Sequence, residues 1–113
     1  MAARRYTPPR DWVAPGNEWP NGPFTHDAPV YALVTAAIVA RYRASVGDRS
    51  LRSVARAAGI DATSLGRTLA GETVPDVHTV AVLEMALDTD LWPARSTLRE
   101  HTESRPPLDG VDT

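Results

Sequence analysis

Apolar residues recur at helical spacing along most of this chain. Val30, Leu33, Val34, Ala37, Ile38, Tyr42 and Val46 fall on one stripe, which predicts a helix from about Ala28 to Gly47. Asp27 stands where it can cap that helix, and Pro29 is tolerated in its first turn. Val54, Ile60, Leu65 and Leu69 mark two shorter helices. Val77, Val80, Leu83, Ala86 and Leu87, flanked by Val82 and Met85, line a further helix opened by Asp76. Leu91-Trp92-Pro93 breaks the chain, with Trp92 expected to close the bottom of the core. From Pro93 to about Ser104 a last, polar helix is expected, with Leu98 as its main apolar residue. No strand pattern and no internal repeat is visible, so the expected fold is all-α with four or five helices.

Residues 1–26 read differently. Pro8, Pro9, Pro15, Pro20 and Pro23 argue against regular structure, while Tyr6, Trp12, Trp19 and Phe24 argue against a freely disordered tail. The expectation is an extended Pro/aromatic-rich N-terminal arm. It lies over its own helical core or over a second subunit, or else Arg4, Arg5 and Arg10 carry it to the DNA backbone or minor groove. The aromatic half is expected to pack, and the first ten residues stay open between these readings. The organisation is therefore an arm at 1–26, a helical domain at 27–104 and a flexible tail at 105–113, where two prolines and a glycine occur.

The stretch Ser50–Gly71 is the most specific. Ser50 can cap one short helix, Asp61 can cap a second, and Gly59 and Gly71 stand at their ends. Ala55 sits four residues before the turn glycine, where steeply crossing helices leave room for a methyl group. This is the layout of a helix-turn-helix, whose second helix can enter the major groove of DNA.

From Ser50 to Pro93 the chain resembles the Cro/repressor-type (XRE-like) helix-turn-helix family. The resemblance is carried by Ser50, Ala55, Gly59-Ile60, the helix 61–70, Gly71, Val74-Pro75-Asp76 and the apolar helix Val77–Leu87. It implies a repressor-like domain and a sequence-specific transcriptional regulator, bacterial or phage, that reads the major groove with residues 61–70. It places base readers at Asp61, Ala62, Thr63 and Arg67, with Ser64 beside them. The helical period turns Ala62, Thr63, Gly66 and Arg67 outward if Leu65 and Leu69 face the core. Arg67 can pair bidentately with guanine, Ala62 and the Thr63 methyl can meet a thymine methyl, and Asp61 can accept from cytosine. Where the family commonly has a Gln, this chain has Leu51, and polar or basic groups are missing near Ala70 and Glu72. Arg49, Ser50, Arg52 and Arg56 can take over phosphate contacts, helped by the free N–H groups of the helix starting at Ser50. Few clamps imply weak binding by one monomer, hence a homodimer on double-stranded DNA. Its expected surfaces are the aromatic arm, preferred, or the helix around Leu98.

Composition changes this picture in two ways. The 113 residues, 42% of them apolar, allow one domain with a modest core. No apolar run reaches membrane-spanning length and there is no cysteine, so no membrane partner is expected and a cytoplasmic location fits, nucleoid-associated when bound to DNA. All twelve basic residues are arginine, which suggests a GC-rich bacterial genome or its phage. The net charge of −2 speaks mildly against nucleic acid, but residues 41–71 hold six arginines against Asp48 and Asp61. Residues 72–113 hold nine acids against three arginines. Positive charge is thus gathered on the helix-turn-helix and the helix before it.

His26, His78 and His101 lie in separate segments without catalytic or metal-ligand spacing, and no Gly-rich phosphate loop occurs. No enzymatic activity, metal or cofactor is expected, and His78 and Glu84 are expected to face solvent. The alternative function is a protein-interaction module, an antitoxin or adaptor. It would keep the helix-turn-helix as a scaffold and bind a protein partner through the arm and the acidic C-terminal half.

Overall fold

A computed structural model describes residues 6–101. The described residues form four α-helices: α1 Val30–Ser45, α2 Leu51–Ala58, α3 Ala62–Leu69 and α4 Val77–Leu87. Before them come a 3-10 turn, Pro9–Trp12, and two strands, β1 Val13–Glu18 and β2 Gly22–Phe24. A second 3-10 segment, Arg95–His101, follows α4.

The antiparallel β1–β2 hairpin corrects the all-α expectation. Val13 pairs with Phe24 and Glu18 with Gly22, so β1 bulges between its two ends. In a two-stranded sheet both strands are edges, and a proline can turn its missing N–H outward. Pro15 and Pro23 are indeed exposed. Gly16 and Gly22 take positive φ angles of 82° and 69°, which let the chain bulge and turn. Only Ala14 of β1 is buried, so no alternation was there to be read.

The hairpin belongs to the monomer's own core. Phe24 is fully buried in a cluster with Ala28, Leu33 and Ala36, and Trp12, Val13, Trp19 and Leu98 pack against it. A second cluster joins Ile38 and Tyr42 of α1 to Val54 and Ala55 of α2, Leu65 of α3, Val80, Leu83 and Leu87 of α4, and Leu91. Helix α1 separates the two clusters and is buried nearly all round, including Ala32, Thr35 and Val39 outside the expected stripe. Burying Thr35 is made tolerable by its hydroxyl, which donates to the Tyr31 carbonyl at 2.8 Å.

Several local expectations change for the same reason. Helix α1 starts at Val30 with Pro29 as its N-cap and no side-chain cap, so Asp27 does not serve. Val30 and Val77, expected on inner faces, stand exposed in first turns. Trp92 is 53% exposed, and Leu91 closes the core in its place. The expected last helix is a 3-10 segment, with Leu98 half-buried against the hairpin cluster and therefore not a free dimer surface. The tail 105–113, and Arg4 and Arg5, lie outside the described residues.

Candidate nucleic-acid interface

The α2–α3 pair is built by its caps. Ser50 Oγ accepts from Ser53 N at 3.1 Å and starts α2. At the other end Gly59 turns left-handed at φ 72°, so that Ile60 N donates to the Ala55 carbonyl at 2.9 Å and Gly59 N to that of Arg56 at 3.2 Å. These two bonds close a Schellman motif and drop Ile60 onto the core. Asp61 Oδ2 then accepts from Ser64 N at 2.8 Å and starts α3. Val54, Ala55 and Leu65 are buried between the helices, as the sequence spacing implies.

Burial decides what each candidate residue offers. Ser50, Arg52, Arg56, Asp61, Thr63, Ser64 and Arg67 are exposed. Ala62 is half-buried against the core cluster, and a Cβ on Gly66 would meet the Leu51 side chain at 3.7 Å. Those two positions therefore look inward or sideways rather than out, on one flank of Leu65, while Thr68 is buried on the other. The guanidiniums of Arg52, Arg56 and Arg67 have no hydrogen-bond or ion-pair partner among the described residues. Arg67 edges a cavity of about 340 Å³ between α3 and the start of α4, lined also by Ser64, Thr68, Thr73, Asp76 and Thr79.

Other arginines of the basic segment are committed. Arg49 donates to the carbonyls of Val46 and Ala86, both at 3.3 Å, tying the α1–α2 connection to the C-terminal turn of α4. It also lies near the Tyr42 phenol, whose pKa is raised by burial and opposed by this guanidinium. Arg41 reaches the Asp90 carbonyl at 3.4 Å and Arg43 that of Leu69 at 3.2 Å. Helix C-termini favour such cations.

Sequence reasoning missed what braces the end of α3. Trp19 Nε1 donates to the Leu69 carbonyl at 2.9 Å, and Arg10 N donates to that of Gly71 at 3.1 Å. Gly71, at φ 78°, closes a second Schellman motif in which Glu72 N donates to Arg67 O and Gly71 N to Thr68 O, each at 3.0 Å. A Cβ here would fall 2.7 Å from the Trp19 ring. Arg10 also pairs with Glu72 at 3.5 Å on the surface, where both side chains stay nearly half exposed. The only sequence signal was negative: large aromatics in a proline-rich segment need a surface to cover.

Glu84, expected in solvent, accepts from Leu91 N at 2.7 Å and Trp92 N at 3.0 Å. Those amides, Trp92's first, hold its carboxyl below the ordinary range. Asp76 is likewise lowered, chiefly by hydrogen bonding with Thr79, as it caps α4. Among the described residues no group of three His, Asp or Glu side chains converges to hold a metal, and no helix is long and apolar enough to cross a membrane. The chain matches no protein-family model, no curated protein and no solved structure.

Proposed function

We propose that this protein binds double-stranded DNA as a transcriptional regulator of the helix-turn-helix kind, in the cytoplasm, with α3 facing the major groove. The observation that carries the reading is the trio of exposed guanidiniums on α2 and α3, Arg52, Arg56 and Arg67, which have no partner among the described residues. Cations left without protein partners on a capped helix pair are suited to phosphates and base edges. Arg67 is assigned to a guanine and the Thr63 methyl to a thymine, with Ser64 next to them. Arg52, Arg56 and the hydroxyl of Ser50 are assigned to the backbone. Asp61 spends one carboxylate oxygen on its cap, Ala62 keeps only its outer side for a base, and Arg49 has only those N–H groups not directed at carbonyls.

The adaptor reading through the aromatic arm is weaker. Phe24 is buried in this chain, and Trp12 and Trp19 are half-buried against it, so the arm has little apolar surface left for a partner.

The test is selection of a binding site from random duplexes, followed by affinity measurements over a salt series. Arg67→Ala should cost about 1–3 kcal/mol on the selected site and relax the preference at one base pair. Arg52→Ala should weaken all duplexes alike and reduce the salt slope by about one. Failure to enrich any sequence, with salt-independent affinity, would remove the proposal.

A further inference from the structure

The cavity between α3 and the start of α4 holds about 340 Å³. Pockets that take small ligands hold roughly 300–1,000 Å³. Its apolar lining is Leu65, fully buried, with Ile60, Val74 and Pro75 half-buried. Its polar lining includes Ser64, Arg67, Thr73 and Asp76, all exposed, so the cavity opens to solvent on that side. Thr68 is buried, and its hydroxyl meets that of Thr73 at 3.1 Å. One bond between two hydroxyls uses one proton, which leaves a second proton and further lone pairs for a ligand.

Among the described residues one cation and one anion line this cavity, Arg67 and Asp76, and they do not pair with each other. Asp76 Oδ1 accepts from Thr79 N at 2.7 Å. Hydrogen bonding with Thr79, its side chain first, holds the carboxyl below its ordinary range, so Asp76 is charged at neutral pH. These two charges exclude most ligand classes. A simple anion would meet Asp76, a simple cation would meet Arg67, and an apolar molecule would cover both charges without pairing either. A zwitterion matches both.

We infer that the cavity binds a free aliphatic α-amino acid, with its carboxylate on Arg67, its ammonium on Asp76 and its side chain on the apolar lining. The guanidinium presents its N–H groups as a planar fork, which a carboxylate accepts with both oxygens. The ammonium has three donors, enough for Asp76 and a threonine hydroxyl. The aliphatic side chain covers Ile60, Leu65, Val74 and Pro75, which the charged end alone would leave to water. The inference deepens the proposed function and rests on it for one consequence. Arg67 cannot hold a carboxylate and a guanine edge with the same N–H groups, so amino acid and specific duplex weaken each other by the same factor. The amino acid is then a signal that loosens the protein from its site.

Titrating the ¹⁵N-labelled full chain with L-leucine up to about 20 mM, followed by amide NMR, reads the site without DNA. Saturable shifts should gather at Ser64, Thr68, Thr73 and Thr79. L-leucinamide lacks the carboxylate and N-acetyl-L-leucine lacks the ammonium, so each should bind roughly tenfold more weakly or worse. Asp76→Asn keeps a capping side chain and removes the charge, and it should weaken L-leucine by a similar factor. The two analogues are tested on the unaltered chain, so the result does not hang on how well that variant folds. Shifts that do not saturate, shifts spread over the whole surface, or analogues that bind as well as L-leucine overturn the inference. On a selected duplex, saturating L-leucine should lower the affinity of the parent chain several-fold, and an unchanged affinity overturns the regulatory consequence. A chain that binds L-leucine and no duplex keeps the amino-acid site and loses only the DNA reading.

Discussion

Replacing Gly71 by alanine isolates what the hairpin contributes to the recognition helix. Two costs arise at this position. The first is the left-handed backbone at φ 78°, which an L-residue adopts at a penalty of roughly 1–2 kcal/mol. The second is steric, because the new Cβ would fall 2.7 Å from Trp19 Cε2 and 2.8 Å from Arg10 Cβ. The indole must retreat and stretch its 2.9 Å bond to the Leu69 carbonyl, itself contributing about 0.5–1.5 kcal/mol. Displacing well-packed groups adds about 1–3 kcal/mol. Gly59 supplies the control, since its φ is 72° and a Cβ there would meet nothing within 4 Å. Gly59→Ala should thus lose the backbone penalty alone, and Gly71→Ala about 1–3 kcal/mol more. Guanidinium denaturation followed by circular dichroism measures both. At about 4–8 °C per kcal/mol, the two melting temperatures should separate by at least roughly 5 °C. Equal losses in the two variants would mean that the hairpin does not press on the end of α3, and the bracing argument would fail.

The remaining expectations concern α4. Its end turns on Asp88, which sits left-handed at φ 53° and places a carboxylate at the negative pole of the helix. Asp88→Gly should therefore raise stability by about 1 kcal/mol, and an unchanged or lowered denaturation midpoint would contradict this. Asp76 and Glu84 both have pKa values lowered by hydrogen bonds in the folded chain. Their contribution is complete above the unfolded carboxylate value and is lost as pH falls through the lower folded value. Glu84→Gln should accordingly flatten the stability curve below the ordinary carboxylate value and leave it unchanged near neutral pH, and an unaltered acid slope would show that Glu84 does not tie Leu91 and Trp92 to the helix.

What the chain alone determined about this protein is local. Ser50, Gly59, Asp61, Gly71 and Asp76 act through side chains and backbone preferences within a few residues of themselves, and α2, α3 and α4 start where those caps stand. Ala55, Leu65 and Leu83 likewise sit in the core their helical spacing implies. The exposed arginines of α2 and α3 could be named from the same period, as residues left over once the apolar face is assigned.

Only the tertiary structure decided the rest. Prolines discouraged a strand reading of residues 13–24, yet a two-stranded hairpin has nothing but edges, and the tertiary partner of its aromatics is α1 and the end of α3. The same contact buries Phe24 completely and Trp19 in part. Arg41, Arg43 and Arg49 look like their exposed neighbours in sequence, but they spend donors on carbonyls as many as 49 residues away. The helical period points Ala62 and Gly66 outward, yet Ala62 packs on the core cluster and Gly66 faces the Leu51 side chain. Val77 and Met85 carry the same apolar character as Val80 and Leu83, and a single period cannot tell which side of a mostly apolar helix meets α2. That choice is made by where the other helices stand, and it leaves Val77 and Met85 exposed.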